Sequence, residues 1–459
     1  MEFIGRTAEL ARLEREFDKD SLGVVLIYGR RRVGKSELIK QAIRQNDAKA
    51  IYYECKQTTE VNNVESLSAL ASEAFGLPPM AFASVEQLLD FLFKQSIEEN
   101  IVLVLDEYPY LRSAVKGLDS ILQSLVDTYR ERAHVKLVLC GSHVDVMKSL
   151  LEHANPLYGR VDVTISLKAM DYYDSAKFYP GFTAEDKVRL YSVFGGIPYY
   201  NRLIDQKKSV RENIIELISE PDSRLENEVS MYIASEISKM TNANEVFGAL
   251  AKGYSKYRDL LDQSHVSSGP AMVDVLDKLM AMELVQKQAP INDPENKRKS
   301  GYRIVDPLSL FYYRYVFRNL SQRAFLDPDV FFDRYIARDF EENYVPHFFE
   351  EVCRQYLIRQ NCAGNIDVPF DEIGRYWYDD PTNHANGEFD IVTRDPQGFI
   401  FYEAKFRKTP VGQKMVEEEI SQVKATGLCC YKYGFFSRSG FAVKASDEIE
   451  LIDLQDMFE

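Results

Sequence analysis

The chain has 459 residues, of which 45% are hydrophobic and 28% charged, and its formal net charge is −15. That length suggests roughly three domains of about 100–200 residues each, able to bury cores without a disulfide or metal staple. The acidity excludes a surface that seeks nucleic acid or anionic lipid as a whole, so either contact would need a local basic patch. None of the six cysteines has C-x-x-C spacing, which argues against a zinc ribbon, and they are read as reduced and mostly buried. The N-terminus lacks the pattern of a signal peptide, and no apolar run approaches the ~18 residues of a membrane span. A cytoplasmic protein with no membrane partner is the expectation.

In chain order, residues 24–28, 50–54, 101–105, 135–140 and 161–167 are Val/Ile/Leu-rich runs that read as parallel strands covered on both faces. Helical periodicity fills the gaps, as at 36–45 and 85–96, so a doubly wound α/β sheet is expected. Residues 171–240 are helical, interrupted at Pro180-Gly181 and Gly195-Gly196-Ile197-Pro198. Helices follow at 245–252, 256–264 and 270–282, the last capped by Ser268 or Gly269 with Pro270 in its first turn. Strands at 284–288 and 302–305 complete the order of a winged helix-turn-helix. An aromatic helix at 308–318 leads to a last region with the order helix, strand, strand, helix, strand. The expected partition is 1–168, 169–242 (a helical lid), 243–306 (the winged helix), 307–330 (a linker) and 331–459.

Gly29-Arg30-Arg31-Arg32-Val33-Gly34-Lys35-Ser36 matches G-x-x-x-x-G-K-[ST] in full, between an apolar strand and a helix. Glycines at 29 and 34 let backbone N–H groups curl around phosphates, Lys35 reaches the β- and γ-phosphates, and Ser36 ligates Mg²⁺. The expected nucleotide set is Gly29, Arg32, Val33, Gly34, Lys35, Ser36 and Glu37, with ATP and Mg²⁺ as the cofactors. The run 101–105 ends in Asp106-Glu107, where Asp106 would hold Mg²⁺ through water and Glu107 would orient the attacking water. Gly141-Ser142 closes the next strand. Ser142 is either a turn serine or a polar sensor between Glu107 and the γ-phosphate.

Phe3-Ile4-Gly5-Arg6…Glu9, the phosphate loop, Leu105-Asp106-Glu107, Gly141-Ser142, Tyr158-Gly159-Arg160 and Gly195-Gly196-Ile197-Pro198-Tyr199-Tyr200 together resemble the archaeal/bacterial ATPase family, near the AAA+ and STAND proteins. The resemblance covers roughly residues 1–240. It implies a P-loop sheet of AAA+ type and places residues 3–6 near the adenine. It also makes Arg160 a γ-phosphate contact, in trans if the chain forms a homo-oligomer; the alternative for Arg160 is a structural salt bridge.

Residues 245–305 hold nine Lys or Arg against eight Asp or Glu, with Lys297, Arg298, Lys299 and Arg303 clustered on the wing. The third helix carries Asp274, Asp277 and Lys278 but no Arg, Asn or Gln to read base edges. DNA and a protein partner both stand open for this module. Farther on, Asp390 starts one predicted strand, and Glu403 and Lys405 lie two apart on the next, hence on one face. This resembles the PD-(D/E)xK nuclease core, a restriction-endonuclease-like α/β fold. There Asp390 and Glu403 would hold Mg²⁺, Lys405 would steady the attacking water or phosphate, and Glu350 or Glu351 would be the helical acid. The segment from about 331 also resembles the uncharacterised C-terminal domain usually fused to this ATPase, with Ile373-Gly374-Arg375-Tyr376-Trp377 as a further match. His347 and His384 read as surface or packing residues, Trp377 as core, and Glu417-Glu418-Glu419 as a solvated helix face. Three readings follow: an ATP-driven enzyme acting on nucleic acid, a nucleotide switch that binds a protein partner, or an oligomeric ring ATPase.

Overall fold

The structure is a computed structural model describing residues 3–237, 240–296, 299–380 and 385–459. Lys297, Arg298 and His384 lie outside the described residues. The chain forms two compact units, one of residues 1–169 with 197–199, the other of residues 170–196 with 200–459.

The first unit is built on five strands: β1 (Gly23–Tyr28), β2 (Lys49–Glu54), β3 (Ile101–Asp106), β4 (Lys136–Gly141) and β5 (Val163–Ser166). Their spatial order is β2-β3-β4-β1-β5, with every pairing parallel. Each residue of β1, β3 and β4 is buried, as the unbroken apolar runs require of central parallel strands. Helices Glu60–Phe75, Val85–Gln95 and Leu118–Tyr129 pack Leu67, Leu88, Leu92 and Leu122 onto this sheet. Threonine and serine caps start two of them: Thr59 accepts from the Asn62 N–H, and Ser84 from the Gln87 N–H. Because β4 pairs in parallel with both β1 and β3, the chain leaves all three strands at the same end of the sheet.

The second unit contains helices Met240–Ala251, Tyr257–Gln263 and Gly269–Ala281, then an antiparallel hairpin of β6 (Val285–Gln288) and β7 (Gly301–Ile304). Ser268 caps the third helix by accepting from the Ala271 N–H. The aromatic segment is less regular than a single helix: Pro307–Phe311, a wide π turn at Tyr312–Val316, then a tight turn at Phe317–Asn319. Tyr313 stacks on Phe247 with ring centres 4.6 Å apart, which ties this segment to the three-helix group.

A second sheet, ordered β12-β11-β10-β9-β8, is mixed. It comprises β8 (Glu372–Asp380), β9 (Ala385–Asp395), β10 (Gly398–Lys405), β11 (Cys430–Ser437) and β12 (Ile449–Asp453), so the sequence reading missed β8 and β12. Asp390 lies inside β9 rather than at its start. The edge of β8 is covered by the loop following β6. Ile291 N–H donates to Arg375 O at 2.8 Å, and Asn292 exchanges two hydrogen bonds with the Trp377 backbone, at 2.7 and 3.2 Å. Covering an edge strand this way removes a row of unpaired backbone groups. Trp377 is half-buried at this contact, not core. Only Cys55, Cys140 and Cys353 are buried; Cys362 and Cys429 are exposed and Cys430 is intermediate, so the expected burial holds for half the set. Among the described residues no helix is long and apolar enough to cross a membrane.

Candidate functional site

Gly29 leaves β1 where only a hydrogen fits, since a Cβ there would sit 2.2 Å from Leu167 O. The loop ends at Gly34, φ +98°, which begins helix Lys35–Arg44 without any side-chain cap. An uncapped helix N-terminus presents free N–H groups and a positive dipole end, suited to an anion. Lys35 is 6% exposed and its ammonium donates to Gly29 O and Arg30 O at 3.0 and 3.1 Å. Val33 is fully buried beneath the loop, and Glu37 sits in the first turn of the helix. Arg32 points its guanidinium over the Tyr199 ring, 4.2 Å from its centre. Arg6, 7% exposed, donates to Val33 O and Lys168 O and so clamps the loop from outside.

Strands β1 and β3 bring the loop to the acidic pair. Ser36 Oγ donates to Asp106 Oδ2 at 2.7 Å, and Tyr52 Oη donates to the same oxygen. Burial pushes the Asp106 carboxyl up, but hydrogen bonds from Tyr52, Cys140, Ser36 and the Glu107 N–H outweigh it and hold the group below the ordinary carboxylate range. Glu107 accepts from Ser142 twice, from Oγ at 3.0 Å and from the N–H at 3.2 Å. Backbone strain concentrates here. Among the described residues six non-glycine positions have positive φ, and three of them are Arg6, Arg32 and Glu107. Each costs about 1 kcal/mol or more, and such strain gathers at functional sites. A hydroxyl and a carboxylate beside an uncapped helix end and a buried lysine are the donor set that a Mg²⁺-bound polyphosphate requires.

Arg160 is not part of this group. It forms a two-pronged ion pair with Asp127, at 2.8 and 2.7 Å, and donates to Pro156 O and Tyr158 O, which is the structural salt-bridge alternative. Tyr52 was missed by the sequence reading: its hydroxyl reaches Asp106 only because β2 pairs with β3.

In the second unit, Tyr402 pairs with Ile391, so Asp390 and Glu403 are the next residues along the two strands. Lys405 forms an ion pair with Glu403 and lies 3.8 Å from Glu419. Of the two helical acids, Glu350 is the one that joins the cluster. Its carboxylate lies 3.9 Å from the Arg375 guanidinium, which also approaches Asp390 at 3.7 Å and Glu388 at 2.7 Å. Glu351 turns instead to Arg303, Arg354 and Gln355. Burial, then Glu350, Glu388 and Glu403, push the Asp390 carboxyl up to about 6 against the pull of Arg375. Glu403 is likewise raised by burial, with Lys405 opposing and Glu419 adding to the rise.

Two internal cations, Arg375 and Lys405, meet only part of the charge of these five carboxylates. Among the described residues no group of three or more His, Cys, Asp and Glu is arranged to hold a metal ion. As arranged, with Arg375 among the acids and Lys405 on Glu403, the cluster does not fit a divalent ion. Two expectations for the basic wing also change. Arg303 is half-buried and paired with Glu351 rather than offered to phosphates, and Lys299 lies 3.5 Å from Asp293. Glu419 is drawn toward Lys405, so only Glu417 and Glu418 form the solvated face.

Residues 3–203 match a family described as an ATPase domain predominantly from Archaea, and residues 312–422 match Archaea bacterial proteins of unknown function. An uncharacterized protein of Methanocaldococcus jannaschii is 27% identical over 463 aligned positions, covering 99% of each chain. An uncharacterized ATP-binding protein of the same organism is 40% identical over 47 residues, 10% of this chain and 80% of that relative. A Walker-type ATPase of Pyrococcus abyssi superposes with a TM-score of 0.52 at 18% identity, covering 68% of this chain and 96% of its own. The ORC2 protein of Aeropyrum pernix in its ADPNP–ADP complexes gives a TM-score of 0.50 at 14% identity, covering 71% and 96%. At these identities the two structures share a fold with this chain, the P-loop α/β arrangement.

Proposed function

We propose, for a chain whose residues 3–203 match an ATPase domain family predominantly from Archaea, that it binds and hydrolyses ATP with Mg²⁺ and uses its nucleotide state to govern a nuclease-like, DNA-interacting C-terminal domain. The observation that carries the ATPase reading is the convergence of Lys35, Ser36, Asp106, Glu107 and Ser142 where β1, β3 and β4 end, with Ser36 bonded to Asp106 and Ser142 to Glu107. Bound MgATP supplies a reactive phosphoanhydride and a Lewis acid on its phosphates. Ser36 and Asp106 would hold the metal. Lys35 swings its ammonium from the Gly29 and Arg30 carbonyls onto phosphate oxygens, and the uncapped N–H groups of helix Lys35–Arg44 support the same charge. Glu107, held by two donors from Ser142, fixes the attacking water and takes up its proton at Oε1 or Oε2. Arg6 keeps the loop closed through Val33 O.

The test is ATP turnover beside equilibrium binding. Lys35→Ala is expected to lose both, whereas Glu107→Gln is expected to bind and to turn over about a hundredfold more slowly or worse. Equal turnover in Glu107→Gln and wild type would remove Glu107 from the reaction.

Arg375 favours a second reading for the C-terminal part, a switch in which an inactive nuclease fold binds a protein partner. A guanidinium set between Glu350, Glu388 and Asp390 offsets part of the charge that a metal would otherwise meet. Incubation with Mg²⁺ or Mn²⁺ and single-stranded, duplex and branched DNA separates the two. Cleavage abolished in Glu403→Ala supports the nuclease; no cleavage by wild type alongside intact ATP turnover supports the switch.

A further inference from the structure

A cleft of about 760 Å³ opens in the second unit. Its walls are the turn after helix Met240–Ala251, strand β7 and the aromatic segment 307–319. The volume is in the range of ligand-binding clefts. Its charge is opposite to that of the chain. Lys252, Arg303, Arg314 and Arg318 line it, and Asp339 is the one acid among the lining residues described. Two of those cations are committed: Arg303 to Glu351, and Arg314 to both oxygens of Asp339 at 2.7 and 2.9 Å. The remaining pair, Lys252 and Arg318, is exposed and has no ion-pair partner among the described residues.

Aromatic faces interleave with those charges. Tyr254 is 36% exposed beside Lys252, and Tyr302 and Tyr335 are half-buried in the lining. Tyr315 is not available, because it is buried and its hydroxyl donates to Asp339 at 2.7 Å. Tyr335 stacks one face on Phe331 and Tyr302 lies beneath Lys287, so Tyr254 is the ring left open. Cations without ion-pair partners beside such a ring in a concave wall match a polyanion that carries flat apolar faces. An acidic peptide would use the charges and leave the rings idle. A duplex hides its base faces in the stack and offers only phosphates and groove edges.

We propose that this cleft binds an unpaired nucleic-acid strand, with Lys252 and Arg318 on its phosphates and Tyr254 stacked on a base. The inference rests on nucleic acid being a partner of the chain, and moves the contact from the β6–β7 hairpin, whose Arg303 is committed, to the cleft. The neutral rings read stacking rather than base edges, so recognition is of strandedness and not of sequence.

Fluorescence anisotropy tests it, using the full chain with labelled deoxythymidine and uridine strands of about 20 nucleotides and a duplex of the same length, sized to exceed one stacking site. Single strands are expected to bind more tightly than the duplex, and the two strand types report which sugar the cleft accepts. Tyr254→Ala is expected to raise Kd about fivefold to a hundredfold. Lys252→Ala and Arg318→Ala should each shrink the slope of log K against log salt by about 0.7, and Arg318→Lys should restore it. Circular dichroism and the Trp377 emission, unchanged in these surface variants, show that the fold is intact. Strand binding that survives all three alanine variants would keep nucleic acid as partner and overturn the cleft. Preference for duplex would overturn it too. No binding of any probe by wild type would remove the cleft and the partner together.

Discussion

Arg303→Ala should loosen the hairpin from helix Val345–Ala363, which carries Glu351. The Arg303 side chain is 24% exposed and that of Glu351 19%, with 3.2 Å between their charged atoms. Burial pulls the Arg303 guanidinium down, and Glu351 restores part of the loss, which marks a desolvated pair. Removing one partner of a buried pair costs about 3–5 kcal/mol. Here Glu351 keeps Arg354 at 2.5 Å and Gln355 at 3.0 Å, so the residual charge is not orphaned and the expected cost falls to about 1–3 kcal/mol. The chain carries its own reporter at this contact. Trp377 is its single tryptophan. Its indole N–H donates to Glu388 at 2.7 Å, the Lys256 ammonium lies 5.1 Å from its ring centre, and its backbone is bonded to Asn292 on the hairpin loop. A urea titration followed by tryptophan emission therefore reads the docked hairpin. With a slope of about 2 kcal/mol/M, a loss of about 2 kcal/mol moves the midpoint down by about 1 M. A double-mutant cycle with Glu351→Gln should give a coupling of about 0.5–3 kcal/mol. Unchanged emission and midpoint in Arg303→Ala, or zero coupling, would refute the docking argument.

Three further outcomes follow from local geometry. Gly196→Ala would set a Cβ 1.8 Å from Met170 O and 2.5 Å from Met170 N, a backbone clash at or above the upper end of the about 1–3 kcal/mol typical of overpacking, and a thermal melt should show it. Ser142→Ala removes one of the two donors to Glu107 and leaves the N–H; ATP affinity should hold while kcat falls about tenfold to a hundredfold, one charge-assisted hydrogen bond's worth. Arg160→Ala, breaking only the pair with Asp127, should leave turnover of dilute protein within about twofold, since exposed pairs contribute about 0–1 kcal/mol. A large loss that grows with protein concentration would return Arg160 to a role in a neighbouring subunit.

The first sheet was legible because central parallel strands are apolar on both faces, so β1, β3 and β4 appear as unbroken runs with edges correct to a residue or two. The phosphate loop was legible because its chemistry fixes residue types at fixed spacing. What escaped needed tertiary neighbours. Tyr52 and Asp106 meet through the β2–β3 pairing, which no local pattern encodes. Strand β8 mixes Arg375, Trp377 and acidic residues, and its register shifts between Gly374 and Tyr376, so alternation breaks where the hairpin loop covers it. Arg303 reads as a wing base open to phosphates until the fold sets it against Glu351, and nothing local to Arg375 shows that it stands among three carboxylates. Glu419 did carry a signal: it lies three residues after buried Val416 and four before buried Val423, on the inner face of its helix.

The most direct test of the ATPase account is single-turnover hydrolysis of ATP with Mg²⁺ by wild type and Glu107→Gln, each first shown by equilibrium binding to be saturated with nucleotide. The account predicts rapid product formation by wild type and, at the same occupancy, a rate at least about a hundredfold lower for the variant. Matching rates at matching occupancy would contradict the assignment of Glu107 and, with it, the reading of the Asp106–Glu107–Ser142 cluster as the hydrolytic centre.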